Sequence, residues 1–177
     1  TIFVQRPVNP AHTARVRIFF PTAEIPFAGH PTIGCAIHLA TAMAEPGDFD
    51  ARIVLEEEAG LVPVRVWRRG DETRAEFIAP VLPHAVPDAT IAASDQMAAA
   101  LGLSPADIGF DAHRSGLWQG GPRFLYAPVA SLEALARARP MEPAWSQVIG
   151  AAGVDSIYLY AKGGDCDYRA RMFSPTA

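Results

Sequence analysis

Residues 21 to 34 read PTAEIPFAGHPTIG, and this stretch gathers residue types that can do chemistry. A carboxylate (Glu24), a glycine (Gly29), an imidazole (His30) and a proline (Pro31) stand directly before an apolar run. From Pro31 onward, Ile33, Ile37, Ala40 and Ala44 recur at helical spacing. Proline suits the first helical position, where no backbone donor is needed. The pattern therefore predicts a helix starting within about two residues of Pro31; with Pro31 as its first residue, His30 is at the N-cap, a place usually held by Ser, Thr, Asp or Asn. The amides of Thr32 and Ile33 would then point out of the helix end with the dipole behind them, ready for a carboxylate or other anion. Gly29 would let that ligand approach the backbone closely. His30, with an ordinary pKa of about 6.5, could hold or transfer a proton there. The same residues also fit a plain tight turn, with His30 half exposed and Thr32 as an irregular cap. Glu24 is either a second proton-transfer group or a paired loop residue.

Other chemical signals are weaker. His38 lies eight positions after His30 on the same helix, and so on a somewhat different face. His12 and His84 fall in proline-containing loops. His113, in DAHRSG, is a ligand group or a turn residue. Cys35 and His38 are three apart, which by itself does not make a metal site. HExxH, phosphate-loop and GxSxG patterns are absent from the sequence, and we expect neither metal nor cofactor. The formal charge is −4 with no basic block, which argues against nucleic acid or a membrane surface as partner. Two cysteines make no disulfide framework, so a reducing, cytoplasmic compartment is expected. No apolar stretch approaches the about 20 residues of a membrane span, and the sequence carries no signal-peptide pattern.

The elements that must position these residues are mixed α and β. Val16, Ile18 and Phe20 alternate with arginines, as a half-buried strand requires. Residues 51–56, 60–67 and 73–79 read as further strands, with a turn at 68–72. Pro63 cannot donate to a ladder, so its strand should be an edge or bulged. The three prolines of 79–88 suggest a linker, dividing the chain into a first half, 1–84, and a second half, 85–177. In the second half a Ser94-capped helix, a short helix at Ser104-Pro105, helices in SLEALARARP and PAWSQVIGAAG, and strands at 156–162 and 167–173 are expected. The chain opens already inside the strand-like TIFVQ and closes on MFSPTA, so we expect truncation at both ends.

An internal match stands out. Residues 15–23 read RVRIFFPTA and residues 169–177 read RARMFSPTA. The pairing is either chance between two arginine-rich strands or the mark of a duplicated fold.

PTAEIPFAGHPTIG, with ARVRIFF before it and VLEEEAGLVPVRV after it, resembles the phenazine-biosynthesis (PhzF-like) isomerase family. GFDAH, SLEALARARP and YRARMFSPTA fit the same family. The resemblance implies a fold like that of diaminopimelate epimerase. That fold has two pseudo-symmetric α/β domains, each a mainly antiparallel sheet wrapped round a central helix, with the active site between them. It implies a cofactor-independent isomerase, acting on a small anionic, carboxylate-bearing metabolite in phenazine biosynthesis or a related process, and a homodimer. His30 carries over as a catalytic residue, with Gly29, Pro31, Thr32 and Ile33 as substrate-binding positions. Related epimerases and racemases place a thiol base directly before the loop glycine. Here that residue is Ala28, which argues against that alternative. The family's proton-moving glutamate would directly precede Thr1, and its second-domain aspartate and serine would follow Ala177, bringing both chain ends toward His30. A non-catalytic small-molecule-binding relative is the other alternative.

Overall fold

The computed structural model describes residues 1–21 and 23–174. The chain divides into two compact units, Thr1–Leu82 with Gly120–Pro122, and Pro83–Gln119 with Arg123–Ala177. Each has its own sheet and its own apolar core. Among the described residues, no helix is long and apolar enough to cross a membrane.

The first unit runs β1 (Ile2–Gln5), β2 (Ala14–Phe19), β3 (Glu24–Ile25), α1 (Gly29–Met43), β4 (Phe49–Glu57), β5 (Gly60–Arg69) and β6 (Glu72–Phe77). The sheet order is β1-β2-β4-β5-β6, with β3 added to β2. Strands β2 and β4 are parallel and the other pairs antiparallel. Alternation along the strands decides what is inside. Ala14, Val16 and Ile18 of β2, Ile53 and Leu55 of β4, and Val62, Val64 and Val66 of β5 are buried. Helix α1 buries Cys35, Ala36 and Ala40. These are small side chains, which let a helix lie close to a sheet. Pro63 sits in an interior strand with unbroken register to β4, so neither the edge nor the bulge expected above is found. It pairs with Val54 of β4, while β6 starts its pairing at Val64, so no ladder partner on that side needs the missing donor.

The second unit runs β7 (His84–Ala85), α2 (Ser94–Leu101), a 3₁₀ turn (Pro105–Asp107), β8 (Gly116–Gln119), β9 (Arg123–Pro128), α3 (Leu132–Arg137), α4 (Ala144–Ala152), β10 (Ile157–Lys162) and β11 (Tyr168–Phe173). Its sheet order is β11-β10-β9-β8-β7, with β9 and β10 parallel. Leu125, Ile157 and Leu159 of the sheet are fully buried, as are Met97, Leu101 and Trp145 of the helices. Part of the expected linker is thus strand β7, paired with β8. Ser94 is the first residue of α2 and not its cap. The cap is Ala93, whose amide donates to Oε1 of Gln96 at 3.1 Å. Ser131 does cap α3, its hydroxyl accepting the Ala134 amide at 3.1 Å.

The sequence match reappears in the structure with its phase intact. β2 and β11 each start one residue before the repeat and cover its same first five positions, and each is the second strand of an antiparallel hairpin, β1–β2 and β10–β11. The Arg17 guanidinium lies 5.0 Å from the centre of the Phe19 ring, and Arg171 lies 4.8 Å from that of Phe173. The two strands differ in burial. Val16 and Ile18 are buried, but their counterparts Ala170 and Met172 are exposed. The final Pro-Thr-Ala of the match, Thr22 of its first copy, and the expected approach of Ala177 to His30 lie outside the described residues.

Candidate active site

Helix α1 begins at Gly29, two residues before Pro31, with Ala28 as its N-cap in an extended conformation. His30 is therefore the second helical residue and not the cap. The Ala28 side chain caps none of the helix amides. This shift changes which amides are free. The Thr32 amide donates to the Ala28 carbonyl at 3.2 Å, so it is unavailable to a ligand. Ile33 lies one step further in, where α-helical pairing turns its amide toward the Gly29 carbonyl. Pro31 has no amide proton. The donors left at the helix end are the amides of Gly29 and His30, and these replace Thr32 and Ile33 as the expected anion-binding pair.

The side chains sort in the same way. His30 is exposed, while Gly29, Pro31 and Ile33 are half-buried. Thr32 is fully buried. Its hydroxyl lies 2.8 Å from the Ala28 carbonyl oxygen and 2.7 Å from Oε1 of Glu57. A Cβ on Gly29 would meet the Phe77 ring at 3.7 Å, an ordinary contact, so the glycine is not demanded by protein packing.

Glu24 is committed elsewhere. Its carboxylate takes a two-point contact from Arg17, at 2.8 and 2.7 Å, and that guanidinium holds the carboxyl below the usual glutamate range. Cys35 is buried on the inner face of α1. Burial pushes its thiol up, and the nearness of Glu57 adds to the rise. A thiolate base at Cys35 is therefore unfavourable.

The remaining histidines have structural surroundings. His12 contacts Glu56 through Nδ1 at 2.8 Å. His113 stacks on Phe110 with ring centres 4.5 Å apart, and its Nδ1 lies 2.9 Å from the Tyr160 hydroxyl. His38 is exposed on α1, and His84 lies in β7.

Two acidic residues escaped the sequence reading. Glu56 accepts the amides of Val8 and Asn9 and contacts His12; together these hold its carboxyl down to about 2. Glu57 points inward beside Thr32, and burial pushes its carboxyl above the ordinary value of 4.5. The alternation Ile53, Leu55, Glu57 was the signal that could have found it.

With this geometry in place, comparison with known proteins assigns the family. The chain belongs to the PhzC-PhzF family of phenazine biosynthesis-like proteins, which matches residues 1–177. It is 45% identical over 148 residues to an uncharacterized isomerase of Mesorhizobium japonicum, covering 84% of this chain and 48% of that protein. It is 32% identical over 176 residues to the trans-2,3-dihydro-3-hydroxyanthranilate isomerase of Pseudomonas aeruginosa, covering 98% of this chain and 55% of that one. A solved structure described as a predicted epimerase of Pseudomonas aeruginosa matches with a TM-score of 0.69 at 28% identity, over 89% of this chain and 53% of that one. The chain thus spans about half the length of the curated relatives it matches. The expected α/β architecture, with two mainly antiparallel sheets, is the fold it has.

Proposed function

We propose that the protein is a cofactor-independent isomerase that moves a proton on a small carboxylate-bearing metabolite. The observation that carries this reading is the start of α1. Two backbone amides, of Gly29 and His30, open the helix without a side-chain cap, and the exposed His30 imidazole belongs to the same turn. The amides and the helix dipole would hold the substrate carboxylate and disperse charge as a C–H proton leaves. His30 would then assist transfer of that proton. The names of the curated relatives support isomerase chemistry.

An epimerase or racemase with two thiol bases fits less well. Ala28 stands where such an enzyme would carry one thiol, and Cys35 is buried with its thiol raised.

The test uses full-length active protein and trans-2,3-dihydro-3-hydroxyanthranilate as the first of a panel of small carboxylates. NMR would follow both hydrogen migration and inversion of configuration. Migration that falls by about 100-fold or more in His30→Ala, with the unfolding midpoint unchanged, is the expected result. Turnover unaffected by the substitution would confine His30 to a structural part, and inversion without migration would favour the epimerase.

A further inference from the structure

The Thr32 hydroxyl has one proton and two close oxygen neighbours. It lies 2.8 Å from the Ala28 carbonyl oxygen and 2.7 Å from Glu57 Oε1. A carbonyl oxygen can only accept, and an ionised carboxylate can only accept. If Glu57 were ionised, one of these two oxygen–oxygen contacts would have no proton in it. Both contacts are satisfied if Glu57 supplies the second proton. We propose that Glu57 is a positioning residue: as a neutral acid it donates to Thr32, Thr32 donates to the Ala28 carbonyl, and this relay pins the first turn of α1 that carries Gly29 and His30.

Three further observations agree. Glu57 is 9% exposed, so an ionised carboxylate there would be largely stripped of water. Its second oxygen, Oε2, is buried with no hydrogen-bond partner among the described residues. An unpaired oxygen of a neutral acid is far less costly than one sharing a full negative charge. The charged groups lining the cavity of about 50 Å³ beside it are engaged or exposed. Arg17 and Glu24 bond to each other, Glu56 is held by Val8, Asn9 and His12, and the Arg15 and Glu58 side chains are exposed. From α1, the ionisable group coupled to Glu57 is the buried Cys35 thiol, which the nearness of Glu57 pushes up. Burial raises the Glu57 carboxyl, and the one opposing influence resolved is the bond to Thr32.

The effect on turnover rests on the function proposed above; the protonation itself does not. Infrared difference spectra of the chain against Glu57→Gln, taken just above the ordinary glutamate value of 4.5, should show the carbonyl stretch of a protonated carboxylic acid in the wild type only. Because the folded value is raised, Glu57 contributes its stabilisation fully below 4.5 and loses it as pH rises through the folded value. Glu57→Gln keeps a donor toward Thr32, so it should retain the low-pH unfolding midpoint and flatten this pH dependence. Glu57→Leu should lower the midpoint. Thr32→Val, which breaks the relay without touching the acid, should lower it as well. In active protein, kcat should fall in Glu57→Leu and be restored in Glu57→Gln. An ionised Glu57 in the infrared spectrum would overturn the relay, and so would a Gln variant that behaves like Leu. A relay confirmed by spectrum and midpoint, with turnover unmoved in every variant, would leave the acid in place and remove its link to His30.

Discussion

His12 Nδ1 lies 2.8 Å from Oε1 of Glu56, and this contact closes the loop between β1 and β2 onto the end of β4. The same carboxylate takes the amides of Val8 at 2.7 Å and Asn9 at 2.9 Å, so one side chain organises a whole loop. Its folded pKa, about 2, is below the ordinary value of 4.5. The stabilisation is therefore complete above 4.5 and is lost as pH falls through about 2. Glu56→Gln should be less stable than wild type at neutral pH, and the gap between them should close on acidification across that window. Hydrogen exchange at the Val8 and Asn9 amides should quicken in the variant. Exchange that stays unchanged would show that the loop is held by other contacts.

The two thiols should differ sharply. Cys166 is exposed, whereas Cys35 is buried and its thiol is pushed up. An aromatic disulfide reagent at neutral pH should titrate one thiol quickly and the second only in denaturant. Cys166→Ser should abolish the fast phase. A fast reaction at Cys35 would contradict its burial and reopen the possibility of thiol-based catalysis.

Two helix ends offer a matched comparison. Gly102 ends α2 and Gly153 ends α4, with φ of 65° and 64°, both left-handed. Alanine at either site meets the backbone penalty of that conformation, about 1–2 kcal/mol. At Gly102 a Cβ would also come within 3.1 Å of Met141 Cγ, whereas at Gly153 nothing lies within 4 Å. Gly102→Ala should therefore lower the unfolding midpoint by at least as much as Gly153→Ala. The difference between them measures how readily the Met141 side chain moves aside. A smaller loss at Gly102 would rule out that contact as a cost.

Much of the fold was legible because alternation is a strong signal where one strand face is buried. Val16 and Ile18, and Val62, Val64 and Val66, announce their strands in this way. Two-residue strands such as β3 and β7 carry no periodicity to detect, and β7 is set inside a proline-rich run. In the candidate site, the motif located His30 and placed the helix start to within two residues of Pro31, but it put the cap at His30 instead of Ala28. The reason is physical. Proline at the third helical position is as free of a donor obligation as proline at the first, so Pro31 could not fix the boundary. Glu57 was missed because three consecutive glutamates look like a solvated run. Only the inward phase of β4 separates the middle one from its neighbours.

The pairing of β2 with β4 across α1 also sets the order in which the first unit can assemble. β4, β5 and β6 form a meander joined by tight turns, and their contacts are local in sequence. Ala14 meets Leu55 only after the chain has travelled through β3 and the whole of α1. Loop-closure entropy makes the second contact the slower one to form. The Thr32–Glu57 contact joins the first turn of α1 to the last residue of β4, at the first turn of that meander, so it belongs to the later stage. On this ordering the turn that carries His30 takes its final form after the sheet beneath it, and its maturation is separable in time from collapse of the core.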